Sequence, residues 1–163
     1  MSALDHMFGV AAIVPDAVDV SSVHLAGFTR YALLDRGSYE IARDPALPEL
    51  HGRLARIASE VTGRSLAVVG SRALRLRAGD YVLAHHDAFH DDNPVEIVVD
   101  LSPSPVAGAG VHYRRRGQVF FRFPSQPGAM SIVERGPTVT SNHTYVSKLR
   151  PDALVIRLVA LLR

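Results

Sequence analysis

The sequence predicts a mainly β protein that closes as a sandwich, barrel or jelly roll, and three observations carry that expectation. After Gly63, short runs rich in Val, Ile, Leu, Phe and Tyr recur between Gly, Pro, Asn and Asp, at about 65–69, 72–77, 80–86, 95–101, 110–115, 118–123, 129–134, 138–145 and 153–162. One segment has a helical period: Leu47, Leu50, Leu54, Ile57 and Val61 return at steps of three and four while Arg53, Arg56, Ser59 and Glu60 face away. Finally, 163 residues with 47% hydrophobic and 21% charged side chains suffice for the core of one globular domain.

In chain order, the first 45 residues carry the weakest pattern, with Phe28 to Leu34 their best strand candidate. Pro48 suits the first turn of the helix and Gly63 its stop. Ser102-Pro103-Ser104-Pro105 and the following Val106-Ala107-Gly108-Ala109-Gly110 read as a long loop between strands, and Arg116-Gly117 as a hairpin turn. The segments flanking that loop are too short for separate domains, so residues 1–163 are expected to form one. About 1–64 would supply a supporting strand and helix, and about 65–163 the β core.

Composition excludes several classes. Eighteen Lys and Arg against sixteen Asp and Glu leave a net charge of +2, and Arg114-Arg115-Arg116 suits a solvated turn, so no nucleic-acid partner is expected. Without cysteine there is no disulfide, thiolate metal site or cysteine nucleophile, which leaves His, Asp and Glu as the strong metal ligands. Met1 to Val20 scatters Asp5, Asp16 and Asp19 and has neither a basic start nor a long apolar run. A cytoplasmic protein without a membrane partner is therefore the expectation.

The chemistry-bearing stretch runs from Gly79 to Asp92. Strand alternation puts Tyr81, Leu83, His85 and Asp87 on one face, and Val82, Ala84 and His86 on the other. An imidazole and a carboxylate then point the same way, and His143, in the penultimate strand, can complete a set of two His and one carboxylate. That set on one face of a metal leaves three positions open and is the facial triad of non-haem Fe(II) oxygenases. His90, Asp91 and Asp92 suit a solvated turn before Asn93-Pro94. In the apolar run Ala153 to Leu162, Arg157 needs an anionic partner if buried: a bound acid, or Asp100 or Glu96.

The run Leu74 to Asp87, followed by Val95 to Ser102, resembles the core of Fe(II)/2-oxoglutarate-dependent dioxygenases, particularly the prolyl-hydroxylase-like members, and Pro127-Gly128 is similar to the turn before the strand leading to their distal His. The resemblance covers about residues 70–163 and implies a double-stranded β-helix (jelly roll). It implies that His85, Asp87 and His143 bind Fe(II), and that an Arg holds the distal carboxylate of the cosubstrate 2-oxoglutarate. Arg157, fourteen residues after His143, and Arg150, seven after, both compete for that role, and Tyr81 is a further cosubstrate contact. A carboxylate ligand at Asp87 implies hydroxylation or a related oxidation with O₂, not halogenation. The substrate would be a small molecule or an amino-acid or peptidyl residue, and Arg75, Arg77, Arg114 and Arg122 hint at an anionic group on it. The short N-terminal part allows for a homodimer that completes the pocket. Two rivals remain, a cupin-type metalloenzyme and a non-catalytic jelly-roll binding module.

Overall fold

The structure is a computed structural model that describes residues 9–85, 95–136 and 138–163. Its described strands are β1 (Ala11–Val14), β2 (Thr29–Leu33), β3 (Gly37–Arg43), β4 (Val68–Arg77), β5 (Tyr81–His85), β6 (Val95–Asp100), β7 (Gly110–Arg115), β8 (Gln118–Pro124), β9 (Met130–Glu134), β10 (Val139–His143) and β11 (Leu154–Leu162). One α-helix, α1 (Pro48–Thr62), lies between β3 and β4. Among the described residues no helix is long and apolar enough to cross a membrane.

Among the described residues all pairings are antiparallel, in the order β1-β9-β6-β11-β4-β3-β5-β10-β7-β8, with β2 beside β3. The eight strands from β4 onward divide into two four-stranded halves, β9-β6-β11-β4 and β5-β10-β7-β8, with β3 bridging β4 and β5. This is the jelly roll that the resemblance implied. Side chains from both halves meet in one core, with Leu74, Leu76, Val98, Val133, Val155 and Val159 against Val82, Val111, Tyr113, Phe123 and Val139. Beyond the first half a second core forms, where Val95, Ile97, Val99, Ile132, Leu158, Ala160 and Leu162 pack with Leu54 and Ala58 of α1. Burial of both faces explains why β6 and β11 read as continuous apolar runs rather than as alternating ones.

Helix α1 starts at Pro48 and ends where Gly63 adopts a left-handed conformation and donates its N–H to the Ser59 carbonyl. Arg116 and Gly117 both have positive φ, as the tight hairpin between β7 and β8 requires. The two runs expected at 65–69 and 72–77 are one strand, β4, since Gly70 continues the pairing opposite Leu161. The bridging strand β3 depends on Gly37, where a Cβ would stand 2.3 Å from the Tyr81 carbonyl oxygen.

The Gly79-Asp80 turn into β5 is pinned by a carboxylate. Asp80 is 3% exposed, and it accepts from Arg30 Nη1 (2.9 Å) and Nη2 (2.5 Å), from the Arg77 amide (2.9 Å) and from Ser38 Oγ (3.2 Å). Burial by itself would raise this carboxyl, but Arg30 and the Arg77 amide outweigh it and hold it below its usual range. The turn motif thus ties β2 and β3 to the start of β5.

Candidate active site

Inside the jelly roll the inward positions carry polar groups in an otherwise apolar space. On β10 these are Ser141 and His143, on β6 Glu96 and Asp100, and on β11 Arg157, in phase with Val155 and Val159 as the alternation predicts. His143 is 3% and Arg157 1% exposed, and they meet at 2.9 Å, Arg157 Nη1 to His143 Nδ1. Arg157 Nη2 is buried and has no hydrogen-bond partner among the described residues.

The two protein carboxylates that could have paired with Arg157 are engaged elsewhere. Asp100, its cross-strand partner, accepts from the Ser102 amide (3.0 Å) and the Gln126 amide (2.6 Å). Its charge reaches Arg157 only through space. Glu96 binds Arg135 and accepts the Tyr113 hydroxyl at 2.8 Å. Burial therefore pulls the Arg157 guanidinium down to about 10, against the attraction of Asp100, and it stays charged at neutral pH.

Arg135 is a second buried guanidinium, which the sequence reading did not single out. Besides Glu96 it reaches Ser141 Oγ (3.3 Å) and the Val139 carbonyl (3.0 Å), and it stands 5.9 Å from the centre of the Tyr113 ring. Burial and the Glu96 charge push the Tyr113 phenol well up, so it remains a donor. A signal was present, since Glu96 sits within the apolar strand Val95–Asp100 and demands a cation.

The pairing of β10 with β5 places Ser141 opposite His85 and His143 opposite Val82, so that Leu83 and Ala84 of β5 together oppose Asn142 of β10. This bulge breaks the simple alternation expected for β5. Val82 joins the interior core, whereas Tyr81 stacks on Tyr145 with ring centres 6.5 Å apart. Tyr81 lines a groove of about 610 Å³ with Asn142, His143 and Tyr145. His85 is placed by its backbone, while His86, Asp87 and the turn expected at His90 to Asp92 lie outside the described residues.

His143 also opens into a smaller cavity, about 220 Å³, whose walls include Tyr31, Tyr39, Arg36, Arg43 and Arg72. Arg43 faces Arg72 across the β3–β4 pairing, and among the described residues no carboxylate lines this cavity. Of the arginines expected at the site, Arg114 lines the groove beside His143 and binds Asn142 Oδ1 at 3.1 Å, whereas Arg75 and Arg77 pair with Glu40. Arg122 and Arg150 line a separate groove with His112, where Arg150 is exposed.

No protein-family model matches the sequence, and no curated protein is significantly similar to it. Among solved structures, the chain is similar to an oxidoreductase of the 2OG-Fe(II) oxygenase family from Burkholderia pseudomallei, with a TM-score of 0.70 and 13% identity over 93% of this chain and 84% of that one. It is similar to a Pseudomonas putida prolyl-4-hydroxylase, with a TM-score of 0.65 and 11% identity over 98% and 94% of the two chains. The epimerase SnoN, solved in complex with Fe3+, alpha ketoglutarate and nogalamycin RO, gives a TM-score of 0.69 and 16% identity over 97% and 80%. At these identities the likeness is one of fold.

Proposed function

We propose that this chain, built on the double-stranded β-helix shared with the 2OG-Fe(II) oxygenases, is a non-haem Fe(II)- and 2-oxoglutarate-dependent oxygenase acting on a small molecule or amino-acid residue. The observation that carries the reading is Arg157, a fully buried cation beside His143 that, among the described residues, is bonded to no carboxylate and leaves Nη2 unpaired. Such a group is costly in an empty core, and a carboxylate can relieve it with a charge-assisted bidentate pair.

In this reading His85, Asp87 and His143 hold the metal and Arg157 holds the distal carboxylate of 2-oxoglutarate. Arg150, exposed on another groove, is left out. When bound, the metal and cosubstrate supply the oxidising chemistry, in which O₂ and 2-oxoglutarate become succinate and CO₂ and one oxygen atom goes to the substrate. The chain contributes placement and the exclusion of water. Leu74, Ile41 and Val82 give an apolar wall beside His143, and in the interior Arg135, Glu96 and Tyr113 bind one another. The cationic walls at Arg36, Arg43 and Arg72 favour a substrate with an anionic group.

Anaerobic titration with Fe(II) and 2-oxoglutarate tests the reading through the weak visible charge-transfer band of the chelate. The band is expected in the natural protein and absent in His143→Ala, with the fold of the variant checked by circular dichroism. A natural protein that binds neither component refutes it.

A further inference from the structure

A guanidinium carries donors only, so the 2.9 Å contact with Arg157 Nη1 makes His143 Nδ1 an acceptor and puts the proton of the neutral ring on Nε2. In that state the Nδ1 lone pair is taken and the other nitrogen is protonated, which leaves no lone pair for a metal. A ring that ligates through Nε2 carries its proton on Nδ1 instead, and that N–H would confront the Arg157 N–H, donor against donor. The Arg157 bond and metal ligation by His143 therefore exclude each other.

Arg157 has reason to turn away when an anion arrives. Its Nη2 is unsatisfied, and Asp100 and Glu96 are committed to Ser102, Gln126, Arg135 and Tyr113. A carboxylate offers both nitrogens an acceptor at once. We propose that Arg157 latches His143 in the empty protein, and that a carboxylate bound at Arg157 releases the imidazole for metal, so that anion anchor and metal site are coupled through one hydrogen bond. Linkage makes the coupling reciprocal, with metal tightening the anion by the same factor. The inference rests on the oxygenase reading and adds an order of events to it: the distal carboxylate prepares a ligand even before its 2-oxo end meets the metal.

Glutarate separates the two, because it has the distal carboxylate but no 2-oxo group with which to chelate. In the metal-free protein, long-range ¹H–¹⁵N imidazole spectra, with His143 assigned by its loss in His143→Ala, should show an unprotonated Nδ1 that shifts when glutarate is added. A purely through-space charge effect would leave this tautomer alone. Saturating glutarate should tighten Mn(II) binding roughly ten- to hundred-fold, the loss of one charge-assisted hydrogen bond expressed as affinity. In Arg157→Met, Mn(II) affinity should start near that tightened value and ignore glutarate. Glutarate that fails to bind, that leaves the His143 signal in place, or that leaves Mn(II) affinity unchanged overturns the latch while the oxygenase reading stands. A protein that takes up neither Mn(II) nor Fe(II) under any of these conditions overturns both.

Discussion

The jelly roll holds two guanidiniums at nearly the same depth, and they differ in almost everything else. Arg135 is neutralised by Glu96 and bonded to Ser141 and the Val139 carbonyl, whereas among the described residues Arg157 has one bond, to an imidazole, and no carboxylate bonded to it. Burial is common to both, and so is one nitrogen without a hydrogen-bond partner among the described residues, Nε of Arg135 and Nη2 of Arg157. What separates a cation that holds the structure together from one that waits for a ligand is the carboxylate, which Arg135 has in Glu96 and Arg157 lacks among the described residues.

The sharpest way to test that contrast is to remove the carboxylate of the paired cation. Glu96→Leu strands Arg135 as an uncompensated buried charge and should cost about 3–5 kcal/mol, read as a lower midpoint in urea unfolding. The matched change on the other side, Arg157→Met, should leave unfolding stability equal or better, yet weaken 2-oxoglutarate binding at saturating Fe(II) by about 2–4 kcal/mol, roughly thirty- to thousand-fold. If Arg157→Met unfolds the protein and Glu96→Leu does not, the assignment of roles is inverted.

A partly exposed pair gives a smaller effect with a pH signature. Asp80→Asn should lose about 1.5–3 kcal/mol at neutral pH, since hydrogen bonds to a charged group are given up. The Asp80 carboxyl lies below its ordinary value when folded, so its contribution is present above the unfolded value and disappears as pH falls through the folded one. Thermal melts of the natural and Asn proteins should therefore converge only in strong acid. Smallest of all, Arg150→Ala should change stability by less than about 0.5 kcal/mol and leave 2-oxoglutarate affinity near its natural value.

Much of this architecture is legible in the sequence because its signals are local. The helix is marked by Pro48, its apolar steps and Gly63, and β6 through β11 fall within a residue or two of the hydrophobic runs. Strands β1 and β3 were not foreseen. Tyr39 and Ile41 alternate with Ser38 and Glu40, but that segment becomes a strand through its pairing with β4 and β5, which no local pattern encodes. The site divides in the same way. Arg157 stands out as a charge among aliphatics and its strand phase sets its direction, while Arg135 follows a strand end and looks like any surface cation. The β5 bulge interrupts the alternation after Leu83, and no pattern within β5 announces it, because a register shift is a property of two strands together.

The two halves of the jelly roll are covered unequally, and this has a kinetic side. The half containing β11 is sandwiched between the inner core and α1, whereas β5 and β10 present Leu83, Ala84 and Tyr145 to solvent around their outer groove. Amide protons of β6 and β11 should therefore exchange with deuterium only through global opening, and those of β5 and β10 through cheaper local opening. With that exchange pattern, the wall that carries Arg157 would stay fixed while the wall that carries His143 opens, and a molecule would enter or leave past the second without disturbing the anchor in the first.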